Sequence, residues 1–305
     1  MDQRCLIDKI AYNGPSGNPS ISVIVVSYKS GKNIFDCLDA LVTQSFSDFE
    51  VILVDNGGNE EELDRIRKYP ITLVQMKQNT GCSAGKNTGA SIARGQIICF
   101  IDDDGIAAPD FVCAHYLAHN DKKIVGVRGK VLPKDPTNLY NGLAAHYDLG
   151  DRKIPAFLDT ETNISFRKEI FIKCGGFSSS VIRGDGEGIN LSYRIVKELG
   201  ERGALVYDPN AVVYHDFAQQ FGKFLNKAIT QPKAHADLIR RYPDIDDFIR
   251  SYSLPYGISH APRDLLSRVK IFILRRIYRW LSSIFCHWYL WNSEPLTEAP
   301  IRAGD

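Results

Sequence analysis

The stretch Gly95–Asp110, GQIICFIDDDGIAAPD, constrains the chain most. Ile97 to Ile101 form a short apolar run rich in β-branched and aromatic residues, the pattern of a strand buried on both faces. Three carboxylates, Asp102, Asp103 and Asp104, follow at once. So close together they repel one another unless a cation sits among them. In an open α/β sheet, the carboxyl edge of the strands is where ligands bind. Asp102 and Asp104, two apart in an extended backbone, point the same way and can share one divalent ion. The competing reading is a solvated acidic turn.

The flanking sequence alternates strand and helix patterns. ISVIVVSY (21–28) reads as a first strand, FEVILVDNGG (49–58) as a second and ITLVQM (71–76) as a third. Helical segments separate them, which predicts right-handed crossovers and a mainly parallel sheet. Asp55 and Asp102 then end two strands on one edge, where a nucleotide is expected. Residues 1–18, ending in NGPSGNP, read as a tail. The loop NTGCSAGKNTGASIARG (79–95) lacks both GxGxxG and the Walker A spacing. Lys86 and Asn87, near its helix start, can face a phosphate or base.

Beyond Asp110 the sequence predicts a helix over 111–120, in which His115 and His119 read as core or surface histidines rather than metal ligands. A strand is expected over 122–132, a polar loop over 133–155, and two short strands around a DPN turn over 204–216. Asp185 and Glu187 lie among three glycines before an amphipathic helix, where glycine freedom suits a carboxylate held in a cleft, the competing reading being a flexible acidic turn.

Composition excludes several classes. The 305 residues carry a net charge of +1, so no overall field argues for nucleic acid. Seven scattered cysteines, never spaced CxxC and most of them inside apolar patterns, read as buried thiols of a reducing compartment, which points to a cytoplasmic protein. The N-terminus has no apolar h-region. From Phe217 the pattern turns helical, first in FAQQFGKFLNKAI (217–229) and then in AHADLIRRY (234–242), and 262–291 is basic on one side and apolar on the other. Arg275, Arg276 and Arg279 argue against a membrane span. This segment reads either as an interfacial helix at the inner face of the cell membrane or as one packed on the protein or a partner.

Taken in order, ISVIVVSY, EVILVDNGG, the Gly-rich loop, ICFIDDD, CGGF, GEGINLSYR and VVYHD resemble an inverting family 2 glycosyltransferase over residues 20–216. The resemblance implies the α/β nucleotide-diphospho-sugar transferase (GT-A) fold. It implies a catalytic domain over 19–220, divided into a nucleotide-binding half (19–104) and an acceptor half (105–220), with a helical extension over 221–305. It implies transfer from a nucleoside-diphosphate sugar, UDP first, to a hydroxyl of a glycan or lipid-linked acceptor, with Mn²⁺ or Mg²⁺ as cofactor. By resemblance, Ser27, Tyr28 and Asp55 border the nucleoside. Lys86, where such enzymes often place Arg, and Asn87 lie near the base. Asp102 and Asp103 contact the nucleotide sugar, and Asp102, Asp104 and His215 hold the metal. Asn163, Gly175, Gly176 and Phe177 fall on the acceptor side, and Glu187 or Asp185 supplies the base. Gly188 departs from the family's Glu-Asp pair, so a non-catalytic sugar-nucleotide binder is one alternative. A haloacid-dehalogenase-like phosphatase using Asp102 is the other. Oligomeric state, including a homo-oligomer, stays open.

Overall fold

The computed structural model describes residues 3–178, 186–201, 204–260, 262 and 264–292. The first half runs β1 (Ile7–Tyr12), β2 (Ile21–Ser27), α1 (Asn33–Val42), β3 (Phe49–Asp55), α2 (Glu60–Ile66), β4 (Thr72–Met76), α3 (Cys82–Ile92) and β5 (Ile97–Asp102). The second half adds β6 (Ile106–Ala107), α4 (Phe111–Ala118), β7 (Gly126–Leu132), β8 (Ile154–Pro155), β9 (Ile164–Arg167), α5 (Lys168–Lys173), α6 (Glu187–Leu199) and β10 (Leu205–Tyr214). Three helices close the chain: α7 (Phe221–Arg241), α8 (Ile245–Ser251) and α9 (Leu265–Asn292).

One sheet carries the whole fold, in the order β1-β4-β3-β2-β5-β9-β7-β10-β6, with β8 also on β10. Strands β4, β3, β2 and β5 pair in parallel, as the alternating pattern predicts. The chain steps outward from β2 to β4, then returns to place β5 on the other side of β2. That reversal is a topological switch point, and it opens a crevice at the carboxyl ends of β2 and β5.

Beyond β5 the sheet is mixed, because β9 inserts antiparallel between β5 and β7. Apolar side chains on alternate residues fill both faces. Ile21, Val23, Val25 and Ile101 meet α1 and α4 on one side. Ile24, Val54 and Phe100 meet Phe166, Phe171, Phe177 and Leu191 on the other.

Three segments differ from the sequence-based expectation. The residues read as a tail instead supply β1, which pairs antiparallel with β4 and covers the sheet edge. Its Asp8 and Lys9 interrupt the apolar pattern, and charge on an edge strand also discourages pairing with another chain. The DPN sequence does not separate two strands. It forms a bulge within β10, where register to β7 shifts between Asp208 and Val212, and Asp208 accepts from the Asn210 backbone at 3.0 Å. The helical segments on either side of Pro232 are one helix, α7. Pro232 removes one backbone bond, yet Phe224, Ala228, Ala234 and Leu238 are buried along the same helix. Among the described residues, no helix is long and apolar enough to cross a membrane.

Candidate active site

The crevice is built where β5 ends. Gly105 donates its amide to Asp102 O at 2.9 Å, so the chain reverses directly after the aspartates. A Cβ at Gly105 would lie 2.9 Å from Ile101 Cγ1, which keeps this turn for glycine. The reversal feeds β6, whose Ile106 pairs with Tyr214 of β10. Antiparallel pairing there brings the next residues outward together, so Asp104 Oδ1 lies 3.1 Å from His215 Nε2. Asp102, Asp104 and His215 each offer a ligand atom, and those atoms all lie within 4.8 Å of one another. Two carboxylate oxygens and one imidazole nitrogen suit a hard or borderline divalent cation such as Mg²⁺ or Mn²⁺.

The electrostatics agree with a cation-receptive cluster. Burial works to raise Asp104, but the bond and charge of His215, with Lys134, bring it down to about 2. Burial opposes charge on His215, and Asp104 and Asp102 outweigh it, so His215 is raised. Asp103 does not share this cluster. It accepts a hydrogen bond from Ser30, and burial raises it to about 6, with Asp102 and Asp104 adding repulsion against that bond.

On the side where the sequence places the nucleoside, Asp55 is buried and its Oδ1 accepts from the amides of Gly57 and Gly58 at 3.0 and 2.6 Å. Ser27 shares a 2.8 Å hydrogen bond with Ser30. Tyr28 is half-exposed beside Gly57, where a Cβ would meet its ring at 3.2 Å. Ser27, Asp55 and Asp102 therefore stand at the ends of three adjacent strands.

Lys86 is buried, 3.4 Å from Asp102 Oδ1 and 3.2 Å from Glu161 O. Burial opposes its charge, but Cys82 and the carboxylates of Asp102, Glu161 and Glu187 outweigh that and raise it. Asn87 does not face the crevice. Its amide makes two bonds to the Phe177 backbone, at 2.7 and 2.9 Å, and both ends of the group are consumed there.

Glu187 heads α6 and is buried, and among the described residues its Oε2 has no hydrogen-bond partner. Burial raises it to about 8, and the nearby charge of Glu161 adds to the effect. Glu161 is the site residue that sequence reasoning misses. Its Oε1 accepts from the Gly188 amide at 2.8 Å, and nothing in the local sequence TET marks it. Gly188 has a packing reason: a Cβ there would lie 2.5 Å from Leu158 O. Gly188→Ala should therefore cost about 1–3 kcal/mol, read as a lower denaturant midpoint without a change of slope. Asn190, one turn into α6, is an amide and bonds Tyr242 and Arg194 inside the fold. Asp185, the other base expected, lies outside the described residues.

The acceptor-side expectations are corrected in part. Asn163 is fully buried, bonding His115 Nε2, Lys130 O and Ala211 O. It ties β7, α4 and β10 together and has no capacity left for an acceptor. His115 and His119 are core residues bonded to Ser165, as expected. Gly175 and Gly176 have φ of 78° and 63°, and a Cβ on Gly176 would meet Asn87 Oδ1 at 2.5 Å. Arg194 binds the Gly176 carbonyl at 2.6 Å, and Phe177 is buried among Phe100, Phe166 and Phe171. This segment joins α3, α5 and α6 beneath the crevice rather than lining an open surface. The result is a metal-receptive cluster on one side of Lys86 and, on the other, the buried Glu187 carboxyl beside Glu161.

Similarity to known proteins fits this arrangement. The chain is 27% identical over 185 residues to an uncharacterized glycosyltransferase, YfnE, of Bacillus subtilis, covering 59% of this chain and 47% of that one. It thus spans about half the length of that relative. It is 23% identical over 257 residues to the glucosyl-dolichyl phosphate glucuronosyltransferase of Haloferax volcanii, covering 76% and 81%. Among solved structures it resembles the mannosyltransferase PcManGT of Pyrobaculum calidifontis in complex with GDP-Man and Mn²⁺. That match has a TM-score of 0.64 at 19% identity, over 92% of this chain and 90% of that one. S. aureus TarS 1-349 in complex with UDP-GlcNAc gives a TM-score of 0.56 at 14% identity, over 88% and 74%. The architecture is the GT-A fold, which sets aside the phosphatase alternative. The sequence model described as Glycosyl transferase family 2 matches residues 22–179, a span that runs from the first parallel strand through the aspartate-bearing β5 to the Gly-Gly-Phe joint, and the chain belongs to that family.

Proposed function

We propose that this chain moves a sugar from a nucleoside-diphosphate sugar, UDP first, to a hydroxyl of a glycan or lipid-linked acceptor, by one inverting displacement. The observation that carries the proposal is the convergence of Asp102, Asp104 and His215 at the switch-point crevice. Asp55 and the β2 end would seat the nucleoside, with residues 19–104 as the nucleotide-binding half. Residues 105–220 would form the acceptor half, with 221–305 as an extension. Asp102, Asp104 and His215 would hold Mn²⁺ or Mg²⁺, which supplies Lewis-acid stabilisation of the leaving diphosphate. Solved relatives bound to GDP-Man with Mn²⁺ and to UDP-GlcNAc support a sugar-nucleotide donor. The glucuronosyltransferase relative, named for a dolichyl phosphate substrate, supports a lipid-linked acceptor. The free thiols fit a cytoplasmic location.

An acceptor hydroxyl is a poor nucleophile near neutral pH and needs a carboxylate to take its proton. Glu187 is our base. Its raised pKa brings its conjugate acid close to working pH, where proton transfer is most effective. The Gly188 departure that favoured a non-catalytic binder has its cause in the close approach of Leu158 O. Incubation with a panel of sugar nucleotides and acceptors, with the product's anomeric configuration read by NMR, tests the reading. An inverted glycoside supports it, and a retained anomer contradicts it.

The pH dependence follows. Glu187 must be ionised to act, so kcat/KM should rise with pH and level off above about 8. Stability should run the other way. Because burial raises Glu187, its ionisation opposes folding, and that stability is lost as pH climbs from the ordinary carboxylate range to about 8. Denaturant midpoints across this range check the sign.

A further inference from the structure

Among the described residues, helix α9 is attached along one stripe. Ile271 is buried, and Leu274 and Tyr278 pack on the cluster around Phe224. The Tyr278 hydroxyl donates to Gln231 of α7, and the Lys233 ammonium lies 5.0 Å from the Tyr289 ring. At 3.6 residues per turn these positions share one side of the helix.

Among the described residues nothing covers the opposite side, which is rich in large apolar side chains. Phe272, Ile273, Trp280, Ile284, Trp288 and Trp291 are exposed, Trp280 by 65% and Trp291 by 88%. These are the chain's three tryptophans, all on one helix face. The helix carries Arg268, Lys270, Arg275, Arg276 and Arg279 and no carboxylate, in a chain whose net charge is only +1. The Arg276 guanidinium lies 5.1 Å from the centre of the Phe272 ring, its stem within the apolar face and its charge free to reach outward.

We propose that the outer face of α9 docks in the plane of an anionic bilayer surface. Apolar side chains would enter the acyl boundary, tryptophans would sit at the interface and the cations would meet lipid phosphates. A second copy of the chain is a poor occupant: pairing two such helices sets cations against cations with no acidic side chain on either helix to offset them. The helix does not qualify as a membrane span, so it lies on the surface. Arg275, Tyr278 and Arg279 also line a cavity of about 490 Å³ with His146 and Phe217.

The test uses the full chain, without substrate, and phosphatidylcholine vesicles with and without phosphatidylglycerol. The protein should sediment with anionic vesicles, with a blue-shifted tryptophan emission that comes from α9 alone, and should be released by high salt. Trp280→Ser with Trp288→Ser should weaken partition at least about tenfold. Arg268→Gln and Lys270→Gln should each weaken it about fivefold. Nucleotide titration of the same variants reports whether they fold and tests the enzymatic reading separately. Protein that stays in the supernatant with unshifted emission on anionic vesicles overturns the proposal. So does a lipid-free dimer that shifts the emission and is lost in the double tryptophan variant, since a second copy would then cover the face.

Discussion

Asp104→Ala is expected to lower Mn²⁺ affinity in the presence of nucleotide by at least about a hundredfold, and to abolish the metal-dependent part of nucleotide binding. Asp104 is the link between two parts of the site. It lies 3.1 Å from His215, and the Gly105 reversal and the β6–β10 pairing position both. Without its carboxylate, Asp102 and His215 keep only two ligand atoms. Asp102 is further held toward Lys86 at 3.4 Å. Metal-independent contacts through Asp55 should survive, so weak nucleotide binding without Mn²⁺ should match the unsubstituted protein. Asp103→Asn is the control. Asp103 bonds Ser30 and is not part of the cluster, so metal-dependent binding should change little.

Glu187→Gln should leave nucleotide and metal binding intact while lowering kcat about 10²–10⁴-fold. The amide is close in shape to the protonated carboxyl but cannot take a proton. Its second signature is thermodynamic. With no charge to bury, the variant should lose the decline in stability toward about pH 8 and become the more stable protein there. Normal turnover in Glu187→Gln would move the role of base to another carboxylate, with Glu161 and Asp185 the next to substitute.

Most of the nucleotide-side frame was legible in the sequence, because buried parallel strands announce themselves as short apolar runs with polar ends. ICFIDDD fixed both a strand and the carboxylates at its end. The location of His215 followed only from family resemblance. Its physical cause, the two-residue strand β6 pairing with β10, is too short to leave a pattern. Asn87 and Asn163 show a different limit. Their residue type suits ligand binding, but facing is set by helix register and by the antiparallel insertion of β9, neither of which a single sequence specifies. Both side chains point into the fold and stitch it together. Glu161 was invisible because its importance lies in two through-space contacts, to Gly188 at 2.8 Å and to the Lys86 ammonium through its carbonyl at 3.2 Å. β1 was missed because edge strands tolerate charge and carry weak alternation.

The most direct test of the account is calorimetric titration of UDP, dTDP and GDP into the purified protein, with and without Mn²⁺. The account predicts that one nucleotide, UDP first, binds with a large Mn²⁺-dependent gain that Asp104→Ala removes. Binding of no nucleotide in the presence of Mn²⁺, by protein shown to be folded, would contradict it.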